Sequence, residues 1–297
     1  MQTSAPGIAA NGQNTDQAWV KLRHPSSLGM AERAIRDSVP LDSRILGVQH
    51  VRTAHYVACR VETRDGSWLA RVGVTSPSDT AKADNSGFMG TAVTVPTGQQ
   101  REYVLAREFS FAGVSVTVPA GYTSFEGPLD AHSGLDVLWL PFLQDSGAAV
   151  TAEQWAAALV PLHASRPGNE LPVFTSRAKS LGRLASWADR EAAASAAKEY
   201  DERLAELFGA ATRWGPVHGD AHCGNILVAA KGPVLFDFDT VCWAPLAWDL
   251  THLLVRAGTD RNTGYTVGEI REAFGFTDQE VDAAVALRLV ARRIARA

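Results

Sequence analysis

The sequence predicts an α+β chain of two lobes: a small N-terminal lobe around a five-stranded antiparallel sheet, and a larger, mainly helical C-terminal lobe. Three observations predict it. Between residues 45 and 142, short apolar or alternating runs are bounded by turn residues, the mark of strands. Past Leu143 the apolar spacing becomes helical and is opened by capping sequences, interrupted only by short apolar runs between Val217 and Leu250. A length of 297 residues, 46% hydrophobic and 20% charged, suffices for one large core or two smaller ones.

Residues 1–18 are polar, small and aperiodic and read as a flexible tail, leaving lobes at 19–141 and 142–297. Leu28 to Val39 has helical spacing and is stopped by Pro40. Ile45 to His50, Tyr56 to Glu62 and Trp68 to Val74 read as three adjacent antiparallel strands, the last two joined by the tight turn Arg64-Asp65-Gly66-Ser67. Thr75 to Gln99, rich in Ser, Thr, Gly, Asp and Pro, reads as a long mobile loop. Gln100 to Phe111 is helical, and Val114 to Val118 and Val137 to Phe142 supply the last two strands. Thr151-Ala152-Glu153-Gln154 is a capping box opening a helix to about Ala164, and Thr175 to Ala211 reads as one long helical stretch. Boxes at Thr266–Glu269 and Thr277–Glu280 open two further helices. There is no internal repeat.

Composition removes several function classes. A net charge of −4 provides no basic face, so nucleic acid is set aside as a partner. The start has no signal-peptide pattern and no run reaches membrane-spanning length, so a soluble, cytoplasmic protein without a membrane partner is expected, as a monomer or homodimer. Cys59, Cys223 and Cys242 form no CxxC pair and suggest neither a disulfide framework nor a cysteine zinc site. Of 28 basic residues only Lys21, Lys82, Lys179, Lys198 and Lys231 are lysines, which limits where a functional lysine can lie.

The chemistry is concentrated between Val217 and Leu250, where His218-Gly219-Asp220, Asn225, Asp237-Phe238-Asp239 and Trp248-Asp249-Leu250 lie on loops leaving short apolar strands. An Asp, an Asn and a second Asp suit magnesium-dependent phosphoryl transfer, which needs one carboxylate to orient and deprotonate a hydroxyl and oxygen ligands for the metal. Asp220 and Asn225, five residues apart on a loop, can face the substrate and the metal respectively, and Asp237 supplies the second ligand.

This pattern resembles the aminoglycoside phosphotransferase and choline kinase family, relatives of the protein kinases: His218-Gly219-Asp220 and Asn225 stand for the kinase His-Arg-Asp and Asn, and Asp237-Phe238-Asp239 for Asp-Phe-Gly. The resemblance implies a bilobal protein-kinase-like fold, with ATP or GTP between a nucleotide-binding N-terminal lobe and a catalytic, substrate-binding C-terminal lobe. It implies Asp220 as the base, Asn225 and Asp237 as Mg2+ ligands, and Asp249 bracing the loop through His218. The third strand should carry a cation paired with a helical glutamate. With no lysine there, Arg71 fills the slot, Glu102 is its partner and Glu108 the fallback. Thr53 and His55, in a first hairpin lacking the protein-kinase glycines, become candidates for phosphate contact. Leu138 to Phe142, with Trp139 and Leu140 at its centre, should be the inter-lobe linker whose backbone meets the purine, and Ala70 should pack on the base.

Other readings compete with parts of this. His218, His222 and Cys223 could suggest zinc, but Gly219 and Gly224 favour a loop over the helix that His-x-x-x-His spacing needs. Cys223 as a nucleophile has no supporting pattern and reads as a small packing residue. Val234 to Val241 also resembles a haloacid-dehalogenase nucleophile strand, with Asp237 phosphorylated and Asp239 the acid. Only 56 residues follow Val241, however, and the His218–Asn225 pattern would go unexplained. Asp239 could touch the metal or simply be solvated, and Asp249 could cap the next helix. Acidic residues after position 258 (Asp260, Glu269, Glu272, Asp278, Glu280, Asp282) could serve a cationic ligand or merely occupy exposed helical faces.

The expected activity is transfer of the γ-phosphate to a hydroxyl of a sugar-containing antibiotic, an aminoglycoside or a macrolide or nucleoside, giving resistance or self-protection. The alternative is a choline, homoserine or sugar kinase. A nucleotide-binding pseudokinase is disfavoured by the complete set of motif carboxylates.

Overall fold

The computed structural model describes residues 27–39, 44–53, 56–74, 98–125, 134–168, 171–258 and 263–296. His55, the tail 1–18, residues 75–97 of the long loop and Asp260 lie outside them. The chain forms two compact units, and each is described by itself.

The first unit holds helix α1 (Ser27–Asp37), strands β1 (Ile45–Thr53), β2 (Val57–Thr63) and β3 (Gly66–Val74), the start of α2 (Gly98–Phe111), and strands β4 (Gly121–Phe125) and β5 (Leu135–Pro141). The five strands form one antiparallel sheet in the order β1-β2-β3-β5-β4. Because side chains alternate along a strand, β3 sends Ala70 and Val72 to one face and Arg71 to the other. The first face is the core: Ala31, Ala34 and Ile35 of α1 pack with Val57, Cys59, Val61, Ala70, Val72, Val137 and Trp139. Within it the Trp139 indole donates to Ser38 Oγ at 3.0 Å, so its one polar atom is satisfied.

The fourth strand is not the predicted one. Val114 to Val118 makes only a parallel bridge between Val116 and Leu235, flanked by 3.0 Å bonds from Thr117 N to Leu235 O and from Leu235 N to Ser115 O. Pro119 has no amide to donate and ends this segment, and the sheet strand starts afterwards, at Gly121.

The second unit holds the end of α2, α3 (Ala152–Ala164), α4 (Ser176–Leu184), α5 (Arg190–Ala210), α6 (Leu250–Ala257), α7 (Val267–Phe274), α8 (Asp278–Arg296) and two antiparallel strand pairs, β6 (Trp214–Val217) with β9 (Cys242–Pro245) and, between them in sequence, the hairpin of β7 (Ile226–Ala229) with β8 (Gly232–Leu235). The capping boxes at Thr151 and Thr266 form as the sequence predicts. The stretch Thr175 to Ala211 is two helices rather than one: Asp189 accepts the Ala192 amide at 3.0 Å and opens α5 as a new helix, an N-cap side chain satisfying an amide the helix leaves unpaired. Two cores result. One packs Leu105 and Phe109 against Trp155, Leu159, Phe238 and Leu253, the other Tyr200 and Trp248 against Leu287 and Ile294. Among the described residues, no helix is long and apolar enough to cross a membrane.

Candidate active site

In the first unit β3 and α2 bring Arg71 and Glu102 together. Arg71 Nη1 lies 2.5 Å from Glu102 Oε2, with side chains 5% and 1% exposed, and the guanidinium sits 3.9 Å from the Tyr56 ring centroid. A forked, permanently charged group held between a carboxylate and an aromatic face keeps a fixed direction. Glu108, further along α2, is not the partner of this pair.

The structure separates other residues grouped by the sequence. Ala70 and Trp139 are fully buried in the α1-facing core, on the opposite face of the sheet from Arg71, so neither side chain can pack on a ligand held by Arg71. Register aligns Leu138 with Arg71, and Leu140 with Leu69, so Leu140 shares the Arg71 face. The linker also begins later than predicted: β5 continues through Pro141, the Trp139 carbonyl accepts Ala120 N at 2.8 Å, and Phe142 N still donates to Ser67 O at 3.1 Å. Backbone free of the sheet starts at Leu143. Thr53, at the end of β1, has its hydroxyl 2.9 Å from His50 Nε2.

In the second unit the loop after β6 is held from several sides. Asp249, wholly buried, accepts His218 N through Oδ2 and Gly219 N through Oδ1, both at 2.8 Å, and His163 Nε2 lies 2.9 Å from Oδ2. Burial opposes the charge, but these bonds outweigh it and hold the carboxyl below its usual range. Asp249 therefore braces the loop through backbone amides, not through the His218 ring. It makes no side-chain cap on α6. The ring instead places Nε2 3.0 Å from Phe236 O, and Thr240 Oγ1 donates to His218 O at 2.8 Å.

Gly219 is required where it stands. Its φ is +80°, and a Cβ there would meet the Thr240 carbonyl oxygen at 2.4 Å. The turn presents Asp220 with its side chain 39% exposed. Asn225 Nδ2 donates to Asp220 O at 3.0 Å, and Phe236 N donates to Asn225 O at 3.2 Å. Since Ile226 pairs with Leu235, Asn225 and Asp237 both lie at the open end of the β7–β8 pair, away from its turn. Asp237 has φ +70°, a left-handed conformation rare outside glycine and concentrated at functional sites.

Around the Asp220 carboxylate stand His222, read from the sequence as a loop residue near the substrate, and two residues that sequence reasoning missed, His252 and Arg288. His252 Nε2 of α6 lies 2.9 Å from Oδ1 without the alignment of a hydrogen bond, His222 Nε2 lies 3.5 Å from Oδ2, and Arg288 Nη2 of α8 lies 3.6 Å from Oδ1. Burial opposes ionisation of Asp220, and the two histidines overcome it, holding the carboxyl well below the usual range. No motif marks His163, His252 or Arg288, because each reaches the loop from a different helix. Cys223 is exposed and touches Arg256 Nη1, so it is not a packing residue. Among the described residues, no three His, Cys, Asp or Glu side chains are grouped to hold a metal by themselves. The Asn225 and Asp237 oxygens form a hard donor set that fits Mg2+ completed by phosphate oxygens.

A five-stranded antiparallel sheet in one unit, a mainly helical second unit and a braced His-Gly-Asp loop define a protein-kinase-like phosphotransferase. The profile described as "Phosphotransferase enzyme family" matches residues 59–284, and the chain belongs to that family, whose members transfer phosphate to a hydroxyl. It is similar in fold to an amicoumacin kinase in complex with AMP-PNP, Ca2+ and Ami (TM-score 0.59, 15% identity, 93% of this chain and 87% of that one). It is also similar to a spectinomycin phosphotransferase in complex with ADP and spectinomycin (0.58, 13%, 92% and 88%). A third such structure is a choline/ethanolamine kinase family protein from Mesorhizobium loti (0.53, 17%, 94% and 84%). No curated protein matches the chain.

Proposed function

We propose that the chain transfers the γ-phosphate of ATP or GTP to a hydroxyl of a small molecule, with Asp220 accepting the hydroxyl proton. The observation that carries this reading is the Asp220 carboxylate, ionised and partly exposed on a loop whose backbone Asp249 holds by two amides. Asn225 and Asp237 would hold Mg2+, which when bound neutralises charge on the transferred phosphoryl group. Arg71, aimed by Glu102, would clamp the α- and β-phosphates, with Thr53 and His55 as further phosphate contacts and Leu140 beside the base. Because Asp220 is held so acidic, its part is chiefly to orient the hydroxyl and receive its proton late in the transfer.

For the acceptor, similarity to the amicoumacin and spectinomycin enzymes supports a sugar-containing antibiotic, and hence resistance or self-protection in the cytoplasm. A second reading, a small-metabolite kinase, is favoured by the Arg288 guanidinium beside Asp220, which suits a polycationic aminoglycoside poorly. A panel of antibiotics and metabolites with Mg2+ and either ATP or GTP, followed by mass spectrometry, tests the proposal. Asp220→Asn should lower kcat on the best acceptor by roughly 10²–10⁴-fold with nucleotide binding retained. Full turnover by that variant overturns the assignment.

A further inference from the structure

In a protein of net charge −4, Asp220 is faced by nitrogen-bearing side chains, one of them a guanidinium. One carboxylate faces three basic side chains from three elements: His222 of the loop, His252 of α6 and Arg288 of α8. Their donors can be assigned. His222 Nδ1 accepts Gly224 N at 2.9 Å, and His252 Nδ1 lies 2.7 Å from Arg288 Nη2, so in both neutral rings the proton sits on Nε2, the nitrogen nearer Asp220.

Arg288 is the exceptional member. Its side chain is only 13% exposed, its hydrogen bond among the described residues is the one to His252, and its Nε is buried without a partner. The guanidinium carbon lies 5.3 Å from the Trp248 ring centroid, which adds a cation–π contact but accepts no N–H. Burial, with the nearby Arg292 and Arg183, brings its pKa down to about 10, which leaves it charged at neutral pH. A buried guanidinium that shares one distant carboxylate oxygen with a histidine is under-compensated, and such a charge is costly unless something completes its shell. A planar fork of N–H donors is matched by an oxyanion.

We propose that Arg288, with His252, forms an anion subsite beside the base, so that the acceptor is a hydroxylated small molecule bearing a carboxylate or phosphate. This rests on the phosphotransfer reading and deepens it. The acceptor hydroxyl oxygen bonds to the γ-phosphorus, the bond from that phosphorus to the β-bridging oxygen breaks, and the hydroxyl proton passes to Asp220. The acceptor's own anion takes no part in the bond changes and fixes which hydroxyl faces Asp220. An ammonium group at the same place would meet the Arg288 guanidinium, a like-charge contact of the kind that specific sites use for rejection.

The test uses acceptors sharing one hydroxylated skeleton and differing in charge: gluconate and glucose 6-phosphate against glucose and glucosamine. Product formation with ATP and Mg2+ is read by mass spectrometry, and inorganic phosphate is titrated calorimetrically into the full-length protein. The anionic acceptors should exceed the neutral and cationic ones at least tenfold in kcat/KM, gluconate and glucose 6-phosphate separating carboxylate from phosphate. Arg288→Gln should erase that margin through KM, and should weaken phosphate binding at least tenfold. Arg288→Lys, which keeps the charge without the fork, should keep part of both and guards against a folding defect in the glutamine variant. The inference is overturned by glucose or glucosamine reacting as well as the anionic pair, or by phosphate binding that Arg288→Gln leaves unchanged. An equal fall of kcat on every acceptor in Arg288→Gln also overturns it, since that marks a role in the transition state. Phosphate binding that depends on Arg288, without turnover of any acceptor, supports the subsite and counts against the phosphotransfer reading alone.

Discussion

Gly219 shows how one residue type sets the geometry of its neighbour. The loop must turn through φ +80° immediately before Asp220, under the Thr240 carbonyl oxygen, and a methyl group would lie 2.4 Å from that atom. Gly219→Ala should therefore destabilise the fold by about 1–3 kcal/mol and lower kcat more than KM, because the displaced group is the proposed base. Thermal melts and steady-state kinetics would check this, and unchanged kcat in a folded variant would show that the turn does not aim Asp220. The His218-Gly219-Asp220 triplet was legible in the sequence because its residue types are dictated locally. The partner of Arg71 was also legible there, by the helix position of Glu102, whereas Ala70 does not share the Arg71 face. Ala70 is adjacent to Arg71, and adjacent strand residues face opposite ways.

At the scale of elements, single carboxylates join segments far apart in sequence. Asp249, at the start of α6, holds the loop after β6 and meets His163 at the end of α3. Asparagine keeps one acceptor oxygen and sets an NH2 against a donor, so Asp249→Asn should cost about 3–5 kcal/mol and depress kcat even where the variant folds at low temperature. Denaturant unfolding measures the first and turnover below the melting point the second. Glu280 similarly ties the chain after α5 to the start of α8. Burial opposes its charge, but bonds from Thr212 N (3.0 Å) and Oγ1 (2.6 Å) and from Thr277 N and Oγ1 (both 3.0 Å) win and hold its pKa at about 2. A folded pKa below the unfolded one means that the unfolded chain binds the proton more readily. The contribution is then complete above about pH 4.5 and is lost as pH falls toward about 2. Melting temperature should fall through that window, and Glu280→Gln should flatten the fall while lowering stability at pH 7. A parallel shift at all pH values would exclude this source. Capping boxes made α3 and α7 readable in advance, but the break at Asp189 was missed because helical spacing continues on both sides of it.

For the whole molecule, two units with their own cores carry different parts of the proposed chemistry: Arg71 and Glu102 in the first, Asp220, Asn225 and Asp237 in the second. A nucleotide that binds only the folded state stabilises it by about 2.7 kcal/mol at a hundredfold excess over Kd. ATP with Mg2+ should raise Tm accordingly, and Asp237→Ala should remove the Mg2+-dependent part of the rise. An undiminished rise in that variant would exclude Asp237 as a ligand. The sequence by itself determined the fold class, the strand and helix types, and the motif from His218 to Asp249, because turn chemistry, capping and short loops act between residues close along the chain. Only the tertiary structure decided that Asp249 grips backbone amides, that Ala70 and Trp139 face α1, and that His252 and Arg288 surround Asp220. Those contacts join residues far apart along the chain, 101 positions in the bond from Trp139 to Ser38 beside α1, and what brings them together is burial of one helix or sheet face against another, which leaves no local pattern in the sequence.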